Sequence, residues 1–437
     1  MQSDARPLRE LCSLIADCPH STPVWTESGF IVIRNQNIKN GRLDLSVPSF
    51  TDADHFAHRT RRAKPTTGDI IFTREAPMGE VCMIPSGLEC CVGQRQVLLR
   101  PNAQVADGRF LLYALQSPQV QHEIGWNEGT GSTVSNVRIP VLEALRIPTP
   151  PLDVQREVGE LLGALDDRID LLRQTNATLE SIAQALFKSW FIDFDPVRAK
   201  AEGREPEGMD AATAALFPSE FEESELGPIP RGWNVLPFLN ACALSGGAQP
   251  PASRFIDVPR EGYTRLLQIR DFASDAHLTY VPESQKLKKA TEDDVLIGRY
   301  GSASGDKAKD SLGRVCRGLA GAYNVALMKL EPKLVGREFA LQLVNAPSFY
   351  NYLQGVSSKA VQSGFSKSEL GNLNVVIPPH RLAVAYEIFG TTTWEHVKAS
   401  NQHRKTLELL RDLILPRLIS GKLRLREAEE QIDEALA

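Results

Sequence analysis

Two stretches of the chain repeat apolar positions at spacings that alternate between four and three, and each stretch follows a Pro-Pro pair. Such a heptad pattern over several turns predicts a coiled-coil seam rather than an ordinary amphipathic helix. In the first stretch the seam positions are Val158, Leu162, Leu165, Ile169, Leu172, Asn176, Leu179, Ala183, Leu186 and Trp190. In the second they are Phe389, Thr393, His396, Ser400, His403, Leu407, Leu410 and Ile414.

The middle of the second seam is polar, so this helix is not expected to be stable alone. The simplest pairing partner is the first helix of the same chain. The polar Asn176 within the first seam would fix the register of the two helices. A helix of about 35 residues would span roughly 50 Å at 1.5 Å per residue. The alternative is that each helix packs only on its own neighbouring domain.

The remaining sequence consists of two blocks, each rich in short β-type runs with Gly and Pro between them. Six motifs recur in the same order in both blocks, for example "GDIIFTR" from Gly68 and "DDVLIGR" from Asp293. Each block also has a helix start, "GRFLLYALQSP" from Gly108 and "GREFALQLVNAP" from Gly336. This order predicts a duplicated, mostly β domain of the α+β class.

The predicted organisation divides the chain into six parts. These are a first domain at 1–150, a first helix at 151–195, a central linker at 196–228, a second domain at 229–379, a second helix at 380–424 and a C-terminal tail at 425–437. The central linker is rich in Pro, Gly, Glu and Ala, so it is interpreted either as a docking segment or as a solvated connector.

Charge is unevenly distributed, although the whole chain carries only −5. Residues 151–228 contain 7 basic and 17 acidic side chains, whereas residues 229–379 contain 18 basic and 13 acidic ones. No apolar run approaches the roughly 20 residues that a membrane span needs. The start "MQSDARPLRE" has no apolar signal region, and the seven cysteines form no C-x-x-C pair. We therefore expect a cytoplasmic protein with reduced core thiols and no membrane partner, in preference to a zinc site or a disulfide framework.

The sequence presents no catalytic constellation and no strong metal motif. "GSASGDK" from Gly301 lacks the spacing of a phosphate-binding loop. His55 and His58 lie beside Asp52 and Asp54, which suggests either a metal site or a polar loop facing nucleic acid. Four basic residues follow directly, so we favour the loop, and we predict neither a catalytic nor a metal site in this chain.

Both blocks cluster Arg and Lys with Asn, Gln, Ser and Thr, the side chains that bind base edges and phosphates. Each one alone is most simply an ordinary surface residue, so the hypothesis rests on clustering at equivalent places. The DNA-binding candidates of the first block are Arg34, Asn35, Gln36, Asn37, Arg59, Arg61, Arg62, Lys64, Arg74, Gln94, Arg95, Gln96, Ser132, Thr133 and Asn136. Those of the second are Arg265, Gln268, Arg270, Arg299, Tyr300, Lys307, Lys309, Lys359, Gln362 and Lys367.

The whole pattern resembles the specificity subunits of type I restriction–modification systems. The likeness lies in "LRIPTPPLDVQREV" with its heptad helix, in "LFKSWFIDFDPVRAKAEGR" and "LFPSEFEESELGPIPRGW" of the central region, and in "LELLRDLILPRLISGKL" near the C-terminus. "GDIIFTREAPMGEV" and "DDVLIGRYGSASGDKA" resemble the core of the family's target-recognition domains. The resemblance covers nearly the whole chain.

This resemblance implies a non-catalytic subunit in which two tandem recognition domains each read one half of a bipartite site in double-stranded DNA. The two helices would pair as an antiparallel coiled coil with pseudo-twofold symmetry and set the unread spacer. Two methyltransferase subunits and the restriction–translocase subunits would dock on the chain. S-adenosylmethionine, ATP and Mg would then belong to those partners, with no cofactor in this chain. The alternative is an orphan or silent scaffold of the same ancestry that assembles without binding DNA.

Overall fold

The computed structural model describes residues 4–126, 136–301, 310–357 and 364–436. Within it the chain forms two compact units. Unit 1 comprises Met1–Arg173 and Asn401–Ala437, and unit 2 comprises Gln174–Ser400. Two helices of 40 residues, Leu152–Phe191 and His380–Ile419, each contribute one part to both units.

Unit 1 contains a mostly β domain, the first part of one long helix and the last part of the other. Its strands are β1 (Ala5–Pro7), β2 (Cys12–Asp17), β3 (Phe30–Ile33), β4 (Ile38–Lys39), β5 (Arg42–Leu43), β6 (Phe50–Thr51), β7 (Ile70–Thr73), β8 (Val81–Met83), β9 (Cys90–Val92), β10 (Gln96–Pro101) and β11 (Arg146–Pro148). Its helices are α1 (Leu8–Leu11), α2 (Ala53–Thr60), α3 (Gly108–Gln116), α4 (Pro118–Trp126), α5 (Ile139–Ala144) and α6 (Leu152–Phe191), with a 3₁₀ turn at Asn35–Asn37.

Unit 2 repeats this arrangement after a central segment. Its helices are α7 (Asp195–Ala201), α8 (Ala211–Ala215), α9 (Phe238–Ala241), α10 (Arg337–Asn345), α11 (Pro347–Ser357) and α12 (His380–Ile419). Its strands are β12 (Phe221–Ser224), β13 (Gly227–Pro230), β14 (Asn234–Pro237), β15 (Cys242–Gly246), β16 (Tyr263–Leu267), β17 (Tyr280–Pro282), β18 (Lys289–Ala290), β19 (Val295–Gly298), β20 (Val315–Cys316), β21 (Gly321–Tyr323), β22 (Leu327–Pro332) and β23 (Asn374–Ile377). The 3₁₀ turns of unit 2 are Ala252–Arg254, Ile269–Phe272 and Glu369–Asn372, and a last helix, α13 (Leu425–Leu436), belongs to unit 1.

The main sheets of the two units have the same strand order, as expected for a duplication, and the second sheet has three strands in unit 1 and four in unit 2. One antiparallel sheet has the order β2-β10-β7-β8 in unit 1 and β15-β22-β19-β20 in unit 2. A second sheet contains one parallel pair, β3 with β9 in unit 1 and β16 with β21 in unit 2. The predicted α+β class with two tandem, mostly β domains is therefore confirmed. Strands β7 and β19 are buried at every position, which explains their uninterrupted apolar runs.

The long helices α6 and α12 pair in both units, and their direction follows from which residues meet. In unit 1, Arg411 of α12 donates to Asp166 of α6, and Arg173 of α6 donates to Glu408. In unit 2, the Tyr386 hydroxyl donates to the Ala183 carbonyl at 3.0 Å. Residue numbers therefore rise along one helix as they fall along the other, and the predicted antiparallel coiled coil is confirmed.

The predicted seam positions can now be placed on these helices. Those that are buried are Val158, Leu162, Leu165, Ile169, Leu172, Asn176, Ala183, Trp190, Thr393, Leu407 and Ile414, and those that are half-buried are Leu179, Leu186, Phe389, Ser400, His403 and Leu410. In the middle of α12 the predicted position His396 is exposed, and the next residue, Val397, is buried. The Asn176 side-chain amide lies 3.5 Å from the Val397 carbonyl. At this point of α12 the apolar Val397 therefore takes the buried position that was predicted for His396.

Three segments have more structure than their polar composition suggested. The central segment places Val197 and Phe217 in the unit 2 core, although its apolar residues have no regular spacing. The C-terminal segment, expected as a tail, forms α13, and its Ala428 and Ile432 are buried in the unit 1 core. None of the helices in the described part of the chain is both long and apolar enough to cross a bilayer.

The segment after Thr51 is the third of these, and the prediction of a loop there was wrong. Asp52 caps the N-terminus of α2 by accepting a hydrogen bond from the His55 backbone N–H at 2.8 Å. Phe56 is buried and stacks on Phe30, with 4.2 Å between ring centroids. An N-cap and one buried aromatic residue are sufficient to order this polar stretch as a helix on the sheet.

A single carboxylate joins the β domain of unit 1 to both long helices. Asp166 of α6 accepts hydrogen bonds from Arg42 at 2.9 Å, from Arg411 at 2.7 Å and from the Tyr113 hydroxyl at 2.8 Å. Burial raises the pKa of Asp166, but the hydrogen bonds and charges of Arg411, Tyr113 and Arg42 together outweigh burial and hold the pKa below its usual value. Asp166 is therefore charged in the folded protein at neutral pH.

We predict that Asp166→Asn lowers the free energy of unfolding by about 2–3 kcal/mol at neutral pH, because charged hydrogen bonds are lost. The folded-state pKa lies below that of the unfolded chain, so the contribution is present above about pH 4 and is lost as the pH falls through the folded-state pKa. Thermal melts from pH 7 to pH 3 measure this, and the variant should show the flatter pH dependence. Asp167→Asn is the matched control, since the Asp167 side chain is 73% exposed; equal effects from both substitutions would contradict the prediction.

We also predict that Leu165→Asp or Leu407→Asp disrupts the helix pairing. Both leucines are buried, 6% and 1% exposed, so each substitution places an unpaired charge in an apolar contact and destabilises by at least about 3 kcal/mol. Circular dichroism melts of the full chain measure the loss. Leu171→Asp and Leu409→Asp, at positions that are 51% and 72% exposed, are the controls on the same helices. A wild-type melt for the buried variants would refute the role of the seam.

Candidate nucleic-acid interface

An arginine at the end of one strand ties three loops together in the first domain. Arg74 follows β7, and its backbone N–H donates to the Arg95 carbonyl at 2.8 Å. The Val137 N–H donates to the Arg74 carbonyl at 3.0 Å, and the Arg74 Nε–H returns a bond to the Val137 carbonyl at 2.9 Å. A bond to Asp17 at 3.0 Å holds the rest of the guanidinium. The residues around Arg95, Val137 and Asp17 therefore lie at one edge of the sheet.

The second domain has the same three-bond arrangement around Arg299. Its N–H donates to the Ala326 carbonyl at 2.8 Å, and its carbonyl accepts from the Phe365 N–H at 3.3 Å. Its Nε–H donates to the Phe365 carbonyl at 3.1 Å, and its guanidinium lies 5.0 Å from the centre of the Tyr300 ring. Arg74 and Arg299 are therefore equivalent. Each brings the turn between two strands of different sheets, and the segment at Val137 or Phe365, to the same edge of its domain.

Both domains also share a hydrogen bond at the start of the 3₁₀ turn that follows β3 or β16. In the first domain the Arg34 N–H donates to the Asn37 side chain at 3.0 Å, and in the second the Gln268 N–H donates to Asp271 at 2.8 Å. Arg34 is therefore equivalent to Gln268. A sequence match that aligns the Ile-Arg pairs of the two blocks (Ile33-Arg34 with Ile269-Arg270) is displaced by two residues, because hydrogen-bonded positions rather than residue identity define the equivalence.

Side-chain amides support the loops at this edge in the first domain. Gln96 is fully buried, its carbonyl group accepts from the Gly93 N–H at 2.9 Å, and its amide donates to Asn35 at 3.0 Å. Asn35 in turn donates to the Glu75 carbonyl at 2.5 Å. Because each amide is used internally, Gln96 and Asn35 hold the turn and leave neighbouring side chains to face outward.

Several DNA-binding candidates therefore have internal roles in the structure. Asn37 and Arg59 are 3% and 2% exposed. Arg59 donates to the carbonyls of Val92 at 2.9 Å and Ser21 at 2.8 Å, and Asn37 donates to the Asp44 carbonyl at 2.9 Å. These two, and Gln96 and Arg74, have a supporting role in the structure, because their polar atoms have partners within the domain. That they also contact DNA stays a prediction.

Other candidates of the first domain remain accessible. Arg34 is exposed and lies 5.1 Å above the ring of Trp25, itself 46% exposed. Arg95 has a side chain that is 52% exposed and pairs with Glu75 at 3.3 Å, and its backbone has a φ of 66°. A left-handed arginine is uncommon, and such conformations concentrate at functional positions. The other accessible candidates are Gln36, Arg61, Arg62 and Lys64, which are exposed, and Gln94 and Asn136, which are half-buried.

The candidates of the second domain form two groups. Gln268 and Arg270 both donate to the Thr279 hydroxyl, at 2.9 and 2.7 Å, and Arg265 pairs with Asp275 at 2.6 Å. Arg299 and Tyr300 are half-buried, and Lys367, two residues after Phe365, is exposed. Six candidates lie outside the described residues, and these are Ser132, Thr133, Lys307, Lys309, Lys359 and Gln362.

Sequence reasoning missed the aromatic side chains beside these arginines. The Arg34 guanidinium lies over the Trp25 ring, and the Arg260 guanidinium lies 5.7 Å from the centre of the Tyr263 ring. Exposed aromatic residues with a neighbouring arginine are typical of surfaces that stack on bases or sugars. Trp25 lies in an irregular segment and Tyr263 is the first residue of β16, so no periodic pattern marked them.

The histidine and cysteine clusters do not assemble a metal site in the described ranges, where no group of three potential ligands converges. His55 Nδ1 lies 2.8 Å from the Asp52 carboxylate, which also caps α2. Burial raises the pKa of the Cys90 thiol to about 12 and that of Cys91 to about 11. These thiols are therefore protonated core residues at neutral pH.

Comparisons with known proteins agree with this architecture. Residues 6–181 match the family model of the type I restriction modification DNA specificity domain. The chain is 24% identical to the type I restriction enzyme HindI specificity subunit of Haemophilus influenzae, over 82% of this chain and 86% of that protein. It is 22% identical to the MjaIX specificity subunit of Methanocaldococcus jannaschii, over 82% and 78% of the two chains.

A solved structure supports the fold over nearly the whole length. The crystal structure of the type I restriction–modification S subunit from M. genitalium matches with a TM-score of 0.53 and 15% identity, and covers 95% of both chains. That similarity shows a shared fold. Residues 6–181 thus match the specificity domain of type I restriction–modification systems, and the chain is similar to specificity subunits of such systems along most of its length.

Proposed function

We propose that this chain is the non-catalytic subunit that gives a type I restriction–modification complex its DNA sequence specificity. We call the hydrogen-bonded arrangement around Arg74 in one domain and Arg299 in the other the arginine clamp. The observation that carries the proposal is that candidate base-reading side chains lie beside each clamp. Two domains with equivalent edges suit a bipartite site, in which each domain reads one half. The same two domains on one antiparallel coiled coil suit a fixed spacer between the half-sites.

Direct readout would use the accessible side chains at the clamped edges. Arg95 and Arg34 carry the planar guanidinium that binds guanine through two hydrogen bonds. The Gln94 amide nitrogen already donates to the His20 carbonyl at 2.5 Å, so Gln94 supports the turn beside Arg95. The equivalent of Arg95 in the second domain is Ala326, and its exposed neighbour is Val325. The two edges therefore differ in chemistry, which fits two half-sites of different sequence.

The long helices offer apolar surface for partner subunits. In unit 1, Leu409 and Leu413 lie four residues apart on α12 and are 72% and 56% exposed. In unit 2, Val384 and Ile388 have the same spacing and are 39% and 65% exposed. Exposed aliphatic pairs of this kind are typical of protein interfaces. They support docking of two methyltransferase subunits, which would bring the restriction–translocase subunits with them. S-adenosylmethionine, ATP and Mg would be bound by those partners.

The decisive experiment is to map modified adenines in DNA from cells that express this chain with its partner subunits. One bipartite sequence with a constant spacer is the expected result. Exchange of residues 1–150 for the corresponding domain of another specificity subunit should change one half of that sequence and leave the other half and the spacer intact. A change in both halves would contradict the assignment of one domain to each half-site. Assembly of the complex without any modified sequence would favour the silent-scaffold alternative.

We predict that Arg95→Ala weakens DNA binding by about 1–3 kcal/mol and relaxes specificity at one base pair of one half-site, because a bidentate contact to a base is removed. Its melting temperature should stay close to that of the wild type, since the side chain is half exposed. Binding of oligonucleotides that vary at single positions measures this effect. Arg59→Ala is the contrasting variant: it should lower the melting temperature, because three carbonyls lose their buried donor. Unchanged specificity in Arg95→Ala would remove Arg95 from the recognition surface.

A further inference from the structure

The helix that docks each β domain on its long helix is capped in opposite ways in the two units. These docking helices are α3 in unit 1 and α10 in unit 2. They are equivalent, because Phe110 and Phe339 are the buried third residues of the two helices. Each helix needs an acceptor for its first backbone N–H groups. One carboxylate supplies it in each unit, but from a different part of the structure.

In unit 1 the cap belongs to the domain. Asp107 precedes α3 and accepts from the Phe110 N–H at 2.9 Å. The facing residue of the long helix is Gly159, and a Cβ atom there would lie 2.8 Å from the Asp107 carboxylate and 3.0 Å from the Phe110 nitrogen. A side chain on α6 is therefore excluded at this contact, and the glycine leaves room for the cap of the domain.

In unit 2 the cap belongs to the long helix. Glu387 of α12 accepts from the N–H groups of Arg337 at 2.8 Å and Glu338 at 3.0 Å. The N-cap position of α10 is Gly336, where a Cβ atom would overlap the Glu387 carboxylate. The Gly336 backbone has a φ of −72°, which any residue adopts. Glycine is therefore needed here for space and not for conformation.

The two halves thus contain matched pairs, Asp107 with Gly159 and Gly336 with Glu387. Placing the first domain on the second helix would bring Asp107 and Glu387 to one helix start, where two carboxylates overlap and repel. Placing the second domain on the first helix would bring two glycines together and leave the helix start without a cap. Each mismatch opposes docking by a separate physical effect.

We propose that the location of this capping carboxylate is a positional address, which assigns each recognition domain to its own end of the coiled coil. Asp107 and Glu387 are positioning residues in this scheme, because they act through the docking helix and not on DNA. The address would prevent the two domains from being interchangeable, although they share one fold. Its consequence for half-site order rests on the proposed function, whereas its consequence for docking does not.

The first test uses the full chain with substitutions in unit 2 alone. Glu387→Gly should expose the start of α10, with amide exchange at Arg337 and Glu338 faster by about fivefold, the equivalent of one lost cap. The melting temperature of the chain should fall by about 2–4 °C. Gly336→Asp alone should also destabilise, because its carboxylate meets Glu387. The double variant Gly336→Asp with Glu387→Gly should recover both amide protection and melting temperature, since it rebuilds the arrangement of unit 1.

Recovery of amide protection and melting temperature by the double variant distinguishes the proposal from a merely structural contact. Without an exchangeable cap, the two destabilising substitutions would add. Glu387→Gln is the intermediate control, because Arg337 and Glu338 donate to different oxygens of Glu387 and the single amide oxygen of Gln keeps only one of the two bonds. Its amide protection should lie between that of the wild type and that of Glu387→Gly. A double variant no more stable than the worse single variant would overturn the proposal, as would wild-type exchange in Glu387→Gly.

The second test moves a whole domain. Residues 4–148 are copied in place of residues 234–376, either with Glu387 retained or with Glu387→Gly. The chain with Glu387→Gly should melt at the higher temperature and modify a site with two identical half-sites. Equal stability of the two chains would overturn the address. If the two chains differ in stability as expected and neither directs modification when its partner subunits are present, the proposed function fails and the address stands.

Discussion

The pairing of α6 with α12 is the constraint on which the rest of the structure depends. Each helix has 40 residues. Each also has apolar side chains on one face that must be buried away from water. Burying Leu162, Ile169 and Leu407 in unit 1 requires residues from both ends of the sequence. The pairing therefore closes the chain on itself, and α13 packs in the same core as the first domain.

Each domain is fixed to its long helix by polar contacts whose geometry leaves little freedom. In unit 1 the Asp166 carboxylate holds Arg42, Tyr113 and Arg411. In unit 2 the Arg317 guanidinium binds Glu338 through two bonds of 2.8 Å and lies 3.9 Å from the centre of the Trp394 ring. Different chemistry therefore performs the same task in the two units, as the two capping arrangements also do.

Duplication followed by divergence explains why the recognition edges share a frame but differ in surface. The frame consists of hydrogen bonds made by backbone groups and by Arg74 or Arg299, so it tolerates changes in neighbouring side chains. The turn that presents Arg95 in one domain presents Ala326 in the other. A frame of this kind tolerates different side chains at the edge without a change of fold, which suits the proposed role in sequence recognition.

The sequence by itself determined the duplicated α+β architecture and the two coiled-coil helices, because heptad spacing and ordered motifs are local signals. It also indicated which segments carry Arg, Asn and Gln. Only the tertiary structure decided which of these side chains support loops and which face outward. Arg59 and Arg95 look alike in sequence. Arg59 is buried and donates to three carbonyls, whereas Arg95 has a left-handed backbone and an exposed side chain. The folding of the central segment and α13 was likewise a tertiary outcome, since their irregularly spaced apolar residues become buried only against distant parts of the chain.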